Sequence, residues 1–302
     1  MNHDKHASRR THTGRKWIGR TALYLVLLVA VAAFLLPLVA MVFTSLKTMP
    51  EIIGLAPFTS SNILTIPQDP SLEAWNIAWS EACIAVNCSG LKPYFLNSIL
   101  LCLFSVTLSV ALGAVNGYAL TKWRFKYDNI VFAMFLFGCF IPFQIVLLPI
   151  ARVLGFLGLA GSMTGLVSVH VLYGIVFTTL FFRNFYVTIP DEIVKAARID
   201  GADFWSIFRL IIIPISAPIA VVSVIWQFTS IWNDFLFGAS FAGAETRPLT
   251  VALNNLVNTS TGTKAYNVDM AAAMIAALPT MVVYVLAGKY FVRGLMAGAV
   301  KG

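Results

Sequence analysis

The chain has 302 residues, 59% of them hydrophobic and only 11% charged, with a formal net charge of +8 and a mean hydropathy of +0.82. A soluble domain carries about a quarter charged residues, so these few charges cannot cover a water-facing surface, and lipid must be the solvent over most of the molecule. A membrane β-barrel is excluded too, because the apolar runs do not alternate over the roughly ten residues of a barrel strand.

Residues 1–20 form a basic N-terminal arm, expected to be unstructured and to lie near an anionic leaflet. His3, His6 and His12 lie in it without the thiols or well-placed carboxylates that would complete a metal site, so no metal is expected. The first apolar run, about 21–43, is longer than the roughly 7–15-residue core of a signal peptide. It carries Pro37 past its middle and ends at no small-x-small cleavage site, so it reads as a retained helix. Further runs lie at about 94–120, 130–151, 162–182, 207–233 and 271–292. Each is close to the roughly 20 residues that cross a hydrocarbon core as a helix, which satisfies its own backbone hydrogen bonds. The expected fold is therefore all-α, with six transmembrane helices in one membrane domain over 21–302.

With both termini on one side, that side holds 16 of the 21 Lys and Arg, dispersed over the arm, the loops near 122–126 and 183–209, and the tail. The positive-inside rule makes it the cytoplasmic side. The net charge is thus an orientation signal, not a nucleic-acid footprint. The outer side carries two long loops. Residues 44–93 hold Pro50, Pro57, Pro67 and Pro70 with Trp75 and Trp79, and allow a short helix near 71–82. Residues 234–270 hold Gly238, Gly243, Gly262, Pro248 and a polar run at 258–263. Loops of this length are often functional. Cys102 and Cys139 fall in spans and read as small apolar residues. Cys83 and Cys88 lie in the first outer loop, where an oxidising compartment permits a disulfide but does not require one.

Catalytic chemistry is not visible. The chain has no P-loop, HExxH, paired CxxC or GxSxG, so it is not expected to be an enzyme or to bind ATP or any cofactor itself. Within the spans the polar residues are Asn97, Asn116, Gln144, His170 and Gln227. Such groups either bond between helices or line a polar path. His170 lacks a mid-span carboxylate partner, since Asp234 falls at the outer end of its span; this weighs against a proton-coupled carrier. Gln144, Trp226, Gln227, Trp232 and Asn233 are candidates for a solute path or gate, because sugars stack on aromatic faces and bond amides. Interfacial tryptophans also mark membrane boundaries.

Between the fourth and fifth spans, residues 184–203 read NFYVTIPDEIVKAARIDGAD. A short helix is expected over about 190–200, with Pro190 at its first position. Asp191 and Glu192 sit in the first turn, where the helix dipole favours acids. Ile193, Ala196 and Ala197 form a small apolar face, and Gly201 ends the helix. Too short to span, the helix either docks in a groove of a soluble partner or lies on the lipid surface.

The stretch 192–214, EIVKAARIDGADFWSIFRLIIIP, resembles the EAA loop of binding-protein-dependent ABC importer permeases. That pattern is EAA, three residues, Gly, nine residues, then I-x-L-P. Ala196, Ala197, Gly201, Ile211 and Pro214 keep it, while Lys195 stands where the family has Glu and Ile213 where it has Leu. TSLKTMPEI at 44–52, NGYALTKWRF at 116–125, IPFQIVLLP at 141–149, WNDFLF at 232–237 and AGAVKG at 297–302 resemble the second permease of maltose-transporter-type sugar importers. CIAVNC and IVFTTLFFRNFYV look most like glucose/mannose importer permeases.

The resemblance implies a permease fold in the bacterial inner membrane with both termini cytoplasmic. It implies a heterodimer with a second permease, two ATPase subunits that bind ATP and Mg, and a periplasmic sugar-binding protein. Asp191, Glu192, Ile193, Lys195, Ala196, Ala197, Asp200 and Gly201 would couple to the ATPase, with Glu192 or Asp191 standing in for the acid that Lys195 replaces. Val300, Lys301 and Gly302 would be an ATPase-contacting tail. Residues 245–265 would reach the binding protein, and most sugar contacts would lie in the partner permease. Alternatives are an ABC permease for a polyol or oligosaccharide, or a stand-alone secondary carrier with mid-membrane ion ligands.

Overall fold

The computed structural model describes residues 4–54, 64–258 and 264–299, with side chains described between 19 and 287. The fold is all-α. Among the described residues, extended pairing is limited to isolated bridges such as Ile84 with Asn87. Two compact units are present, Met1–Ala78 with Thr261–Met274, and Trp79–Ser260 with Ile275–Gly302.

The first unit contains α1 (Asp4–Leu46), α2 (Met49–Ile52), α3 (Glu73–Asn76) and the start of α14 (Tyr266–Ala299). Helix α1 begins at Asp4, so residues 4–20 continue the span as helix instead of forming the unstructured arm expected from charge alone. Its apolar side chains are exposed all round, Phe34 at 81% for example, as a lipid-facing helix requires. Beyond it, Trp75 Nε1 donates to Ser45 Oγ (3.2 Å), Asn267 Nδ2 to the Lys47 carbonyl (3.1 Å), and Lys47 Nζ to Thr65 Oγ1 (2.8 Å).

The second unit begins with a π-helical turn, Ile77–Glu81, which starts just before its boundary. Then come α4 (Lys92–Thr121), α5 (Asp128–Phe140), α6 (Phe143–Phe156), α7 (Met163–Tyr186), α8 (Asp191–Ile199), α9 (Phe204–Ile207), α10 (Ile213–Ile215), α11 (Ala217–Trp232), α12 (Leu236–Phe241) and α13 (Leu249–Val257). Its centre is the pair α4 and α7. Ser109, Gly113 and Gly117 recur every four residues on α4 and face Gly174, Thr178 and Phe182, also every four, on α7. Small residues at this spacing let helix backbones meet. A Cβ on Gly113 would overlap the Thr178 side chain, and one on Gly117 would come within 2.8 Å of Phe182 Cβ. Thr178 Oγ1 lies 2.8 Å from the Ser109 carbonyl across the interface and 2.8 Å from its own Gly174 carbonyl.

Among the described residues, four helices are long and apolar enough to cross a membrane: Gly19–Leu46, Lys92–Thr121, Met163–Tyr186 and Tyr266–Ala287. The third and fifth expected spans are not single helices. The chain bends by 105° between Phe140 and Phe143, and by 78° between Ile215 and Ala217. The first bend follows from Pro142, which pushes Ile141 out of helical geometry (φ −72°, ψ 117°). The second lies between Pro214 and Pro218, each of which removes a helical N–H donor. A π-helical turn at Phe208–Ile212 precedes it. Counting each bent pair as one crossing gives up to six spans.

Among the described residues, the two segments expected on the outer side hold more regular structure than turn chemistry suggests. Cys83 and Cys88 are bonded to each other. Between them, Ala85 takes φ +57°, a left-handed conformation uncommon for a residue with a Cβ. Residues 234–258 contain α12 and α13, and this region is fastened to α4. Asn97 Nδ2 donates to the carbonyls of Glu245 (2.8 Å) and Arg247 (3.1 Å), and the Leu249 N–H donates to Ser98 Oγ (2.8 Å).

Candidate functional site

Helix α8 is held at both ends by the turn that follows α4. At its start, Lys122 Nζ donates to Asp191 Oδ1 (2.6 Å) and to the Ile189 carbonyl. The Lys122 ammonium holds the Asp191 carboxyl below the usual carboxylate range, first by this hydrogen bond and then by its charge. At its end, Arg198 Nη2 donates to the Lys122 carbonyl (2.9 Å), and the guanidinium stacks 3.9 Å over the Trp123 ring. Underneath, Val194 is buried with Tyr118, Phe182, Tyr186, Ile189, Ile207, Phe208 and Ile212.

The helix ends in a Schellman arrangement: the Gly201 N–H donates to the Arg198 carbonyl (3.0 Å) and the Ala202 N–H to the Ala197 carbonyl (2.9 Å). Gly201 takes φ +86°, the conformation such a cap demands. Two residues on, Asp203 caps the next helix by accepting from the Ser206 N–H (3.0 Å), and hydrogen bonds from the Ser206 hydroxyl first and its N–H second hold the Asp203 carboxyl below the ordinary range.

Glu192, Ile193, Lys195, Ala196, Ile199 and Asp200 are exposed. Ile193, Ala196 and Ile199 form an outward apolar ridge, with Ile199 86% exposed. The face therefore differs from the expected one: Ala197 turns toward the core, and Ile199 takes its place in the ridge. Pro190 also lies one position earlier than expected, as the cap and not the first helical residue.

At another level of the unit, α7 and α11 enclose a cavity of about 320 Å³. Its lining includes Phe143, His170, Tyr173, Phe177, Trp226, Gln227, Ser230, Asp234 and Phe237. Gln227 Nε2 reaches Ser109 Oγ at 3.4 Å, and Gly174 makes room for that amide, which a Cβ there would overlap. The Asp234 carboxylate accepts from the N–H groups of Phe237 and Gly238, both 3.1 Å from Oδ2. His170 Nε2 lies 3.7 Å from the same oxygen. The sequence gives His170 no mid-span carboxylate; the loop after α11 folds back and brings Asp234 near it, beyond hydrogen-bond distance.

Residues 105–296 match the family described as binding-protein-dependent transport system inner membrane component. The chain belongs to this family. The permease is 44% identical over 188 residues to a probable ABC transporter permease of Pyrococcus horikoshii, a match covering 62% of this chain and 68% of that one. It is 30% identical to a xylose/arabinose import permease of Haloferax volcanii over 93% of each chain. A melibiose/raffinose/stachyose import permease of Bacillus subtilis is also 30% identical, over 91% of this chain and 94% of that one. Among solved structures, a chain of a bacterial ABC transporter involved in import of the acidic polysaccharide alginate superposes with a TM-score of 0.77 at 19% identity. It covers 92% of this chain and 98% of that chain, a likeness of fold.

Within the permease, the expected coupling residues Asp191 to Gly201 gather on one short, clamped helix and its cap. Asp191 is engaged by Lys122, which leaves Glu192 as the acid whose side chain pairs with no other described residue. Val300, Lys301 and Gly302 lie outside the described residues, as do residues 259–263 and His3. Of the five candidate path residues, Trp226 and Gln227 line the cavity. Gln144 is exposed on α6 and does not line it, although its neighbour Phe143 does. Trp232 is buried, donating Nε1 to the Ala276 carbonyl (2.9 Å) and stacking with Phe228. Asn233 donates back to the Thr229 carbonyl. Those two contacts hold the helix end instead of lining the cavity. Lys122, Trp123 and Arg198 were not singled out from sequence. Lys122 and Trp123 lie in a basic turn, KWRF, and Arg198 in the last turn of α8; the charge count absorbed the two cations as orientation.

Proposed function

We propose that this permease is one of two membrane-spanning subunits of an ATP-driven sugar importer in the bacterial inner membrane. A second permease completes the path, a periplasmic binding protein delivers the sugar, and two separate ATPase subunits bind ATP and Mg. Both termini face the cytoplasm, in keeping with the distribution of Lys and Arg. The observation that carries the reading is α8: a rigid helix, clamped at both ends by Lys122 and Arg198, that presents Ile193, Ala196 and Ile199 outward. A ridge of that kind transmits the rotation of a moving cleft as a rigid body.

Sugar as the substrate class is supported by the relatives, whose names carry xylose, arabinose, melibiose, raffinose and stachyose. The narrower glucose or mannose reading rests on the CIAVNC and IVFTTLFFRNFYV segments alone, and these relatives do not favour it. The approach of His170 to Asp234 is the feature a proton-coupled carrier would use. Uptake by the reconstituted complex separates the two readings. Transport that needs ATP and the ATPase subunits is expected; transport by this chain alone, driven by a proton gradient, would overturn the proposal.

A further inference from the structure

A sugar offers two surfaces at once, an apolar C–H face and a ring of hydroxyls. Its binding site needs an aromatic wall together with hydrogen-bonding groups that the protein has left unused. The cavity between α7 and α11 has both. Trp226 packs on Phe177 at 4.7 Å, and Tyr173 on Phe237 at 5.0 Å, so the aromatic rings lining the cavity hold one another in place. Gln227 Oε1 and His170 Nε2 are buried without a hydrogen-bond partner among the described residues. The Tyr173 and Ser230 hydroxyls, on the same wall, make no hydrogen bond either among those residues.

An unmet buried polar group is destabilising, and in a membrane protein such groups tend to mark solute paths. Two on one wall, beside two spare hydroxyls, do not suit a lipid tail, which would leave all of them unmet. The volume of about 320 Å³ is at the lower end of small-molecule sites, fitting one sugar ring and not an extended oligosaccharide.

We infer that this cavity is a translocation subsite for a single neutral sugar ring, so that this subunit holds the solute itself and does not leave all contacts to its partner permease. Trp226 stacks on the ring's C–H face. Gln227 Oε1 accepts from one hydroxyl, and Tyr173, Ser230 and His170 bond others. The inference rests on the sugar-importer reading.

The test uses the complete transporter with its binding protein in proteoliposomes, carrying Ser230→Cys on a Cys102→Ala, Cys139→Ala background. Uptake of labelled xylose, arabinose, melibiose, raffinose, glucose and mannose is measured first. The rate of Ser230→Cys modification by a small water-soluble thiol reagent is then compared with and without an imported sugar. Expected is slowing by the competition factor, about threefold at twice the dissociation constant. Gln227→Leu should abolish the protection, and Tyr173→Phe, which removes one hydroxyl and keeps the ring packing, should weaken it. An imported sugar that leaves the modification rate unchanged means the cavity holds water only, and the inference fails while the importer reading stands. If no sugar is imported at all, the importer reading fails and the inference falls with it.

Discussion

Gly201 gives the sharpest test of the coupling surface, because its two possible roles separate cleanly. Its φ of +86° closes the Schellman cap of α8. An added Cβ there meets no heavy atom within 4 Å, so a side chain brings backbone strain but no clash within the chain. The left-handed conformation costs an ordinary residue about 1–2 kcal/mol, and less for Asn and Asp, which adopt it more readily. Gly201→Asn should therefore lower uptake by no more than about fivefold, the equivalent of about 1 kcal/mol. Gly201→Asp has the same shape but sets a second charge beside Asp200, next to the exposed ridge of Ile199. If that ridge seats in a partner, the added charge is desolvated there. Uptake should then fall at least about tenfold further, or about 1.4 kcal/mol, with normal membrane levels of the protein. The assay is sugar uptake and ATP hydrolysis by reconstituted complexes of equal subunit content. Equal losses in the two variants, or normal uptake by Gly201→Asp, would refute a docked role for this face.

Lys122→Met removes both ammonium bonds at the start of α8 and should loosen the helix by about 1–3 kcal/mol, seen as faster amide exchange over 191–199. Asp191→Asn should cost about 0.2–1 kcal/mol at most and depend on salt, because the Asp191 side chain is 61% exposed. The Asp191 carboxyl is depressed in the folded protein, so the pair contributes fully above the usual carboxylate value near 3.9 and is lost only as pH falls through the lower folded value. The contribution of this pair to α8 protection should accordingly be constant between about pH 5 and 8. Gly113→Val should prevent accumulation of the folded permease, because its Cβ also comes within 2.8 Å of Thr178 backbone, which cannot rotate away as a side chain could. Ser109→Ala, which keeps the helix spacing, should accumulate normally. Mass measurement of the 83–88 peptide without reductant should find both thiols bridged; two free thiols would contradict the structure.

The membrane character and the short helix at α8 were legible in the sequence because each is written locally, in apolar run length and in one turn of acids, alanines and glycine. The bends were written locally too, at Pro142, Pro214 and Pro218, but a run of apolar residues looks the same whether the helix inside it is straight or broken at 105°. The clamp was not legible. Lys122 is 69 residues from Asp191 and Arg198 is 76 from the Lys122 carbonyl, and no local pattern announces pairs so distant. The same holds for His170 and Asp234. Their approach depends on how the loop after Trp232 turns back, with Asp234 accepting from Phe237 and Gly238. One long-range feature did have a readable sign. Ser109, Gly113 and Gly117 are spaced as a close helix contact requires, and that spacing fixes α4 against α7.

The helices that carry the cavity also carry the coupling segment. His170, Tyr173 and Phe177 lie on α7, whose last turn runs through Tyr186 into Ile189 and the start of α8. Trp226, Gln227 and Ser230 lie on α11, reached from the end of α8 through the cap at Asp203 and the bend at Ser216. Across that bend the Ser216 hydroxyl meets the Tyr186 hydroxyl at 2.9 Å, both groups buried. Helix α8 is thus the link between the adjoining ends of the two helices that wall the cavity, with Tyr186 and Ser216 a second link beside it. Coupling between distant sites needs a contiguous element that both sites bias. Here the contiguity is covalent on both sides of α8, which places the mechanical freedom at the bends of the chain and not within α4 and α7, where glycines and threonine lock the backbones together.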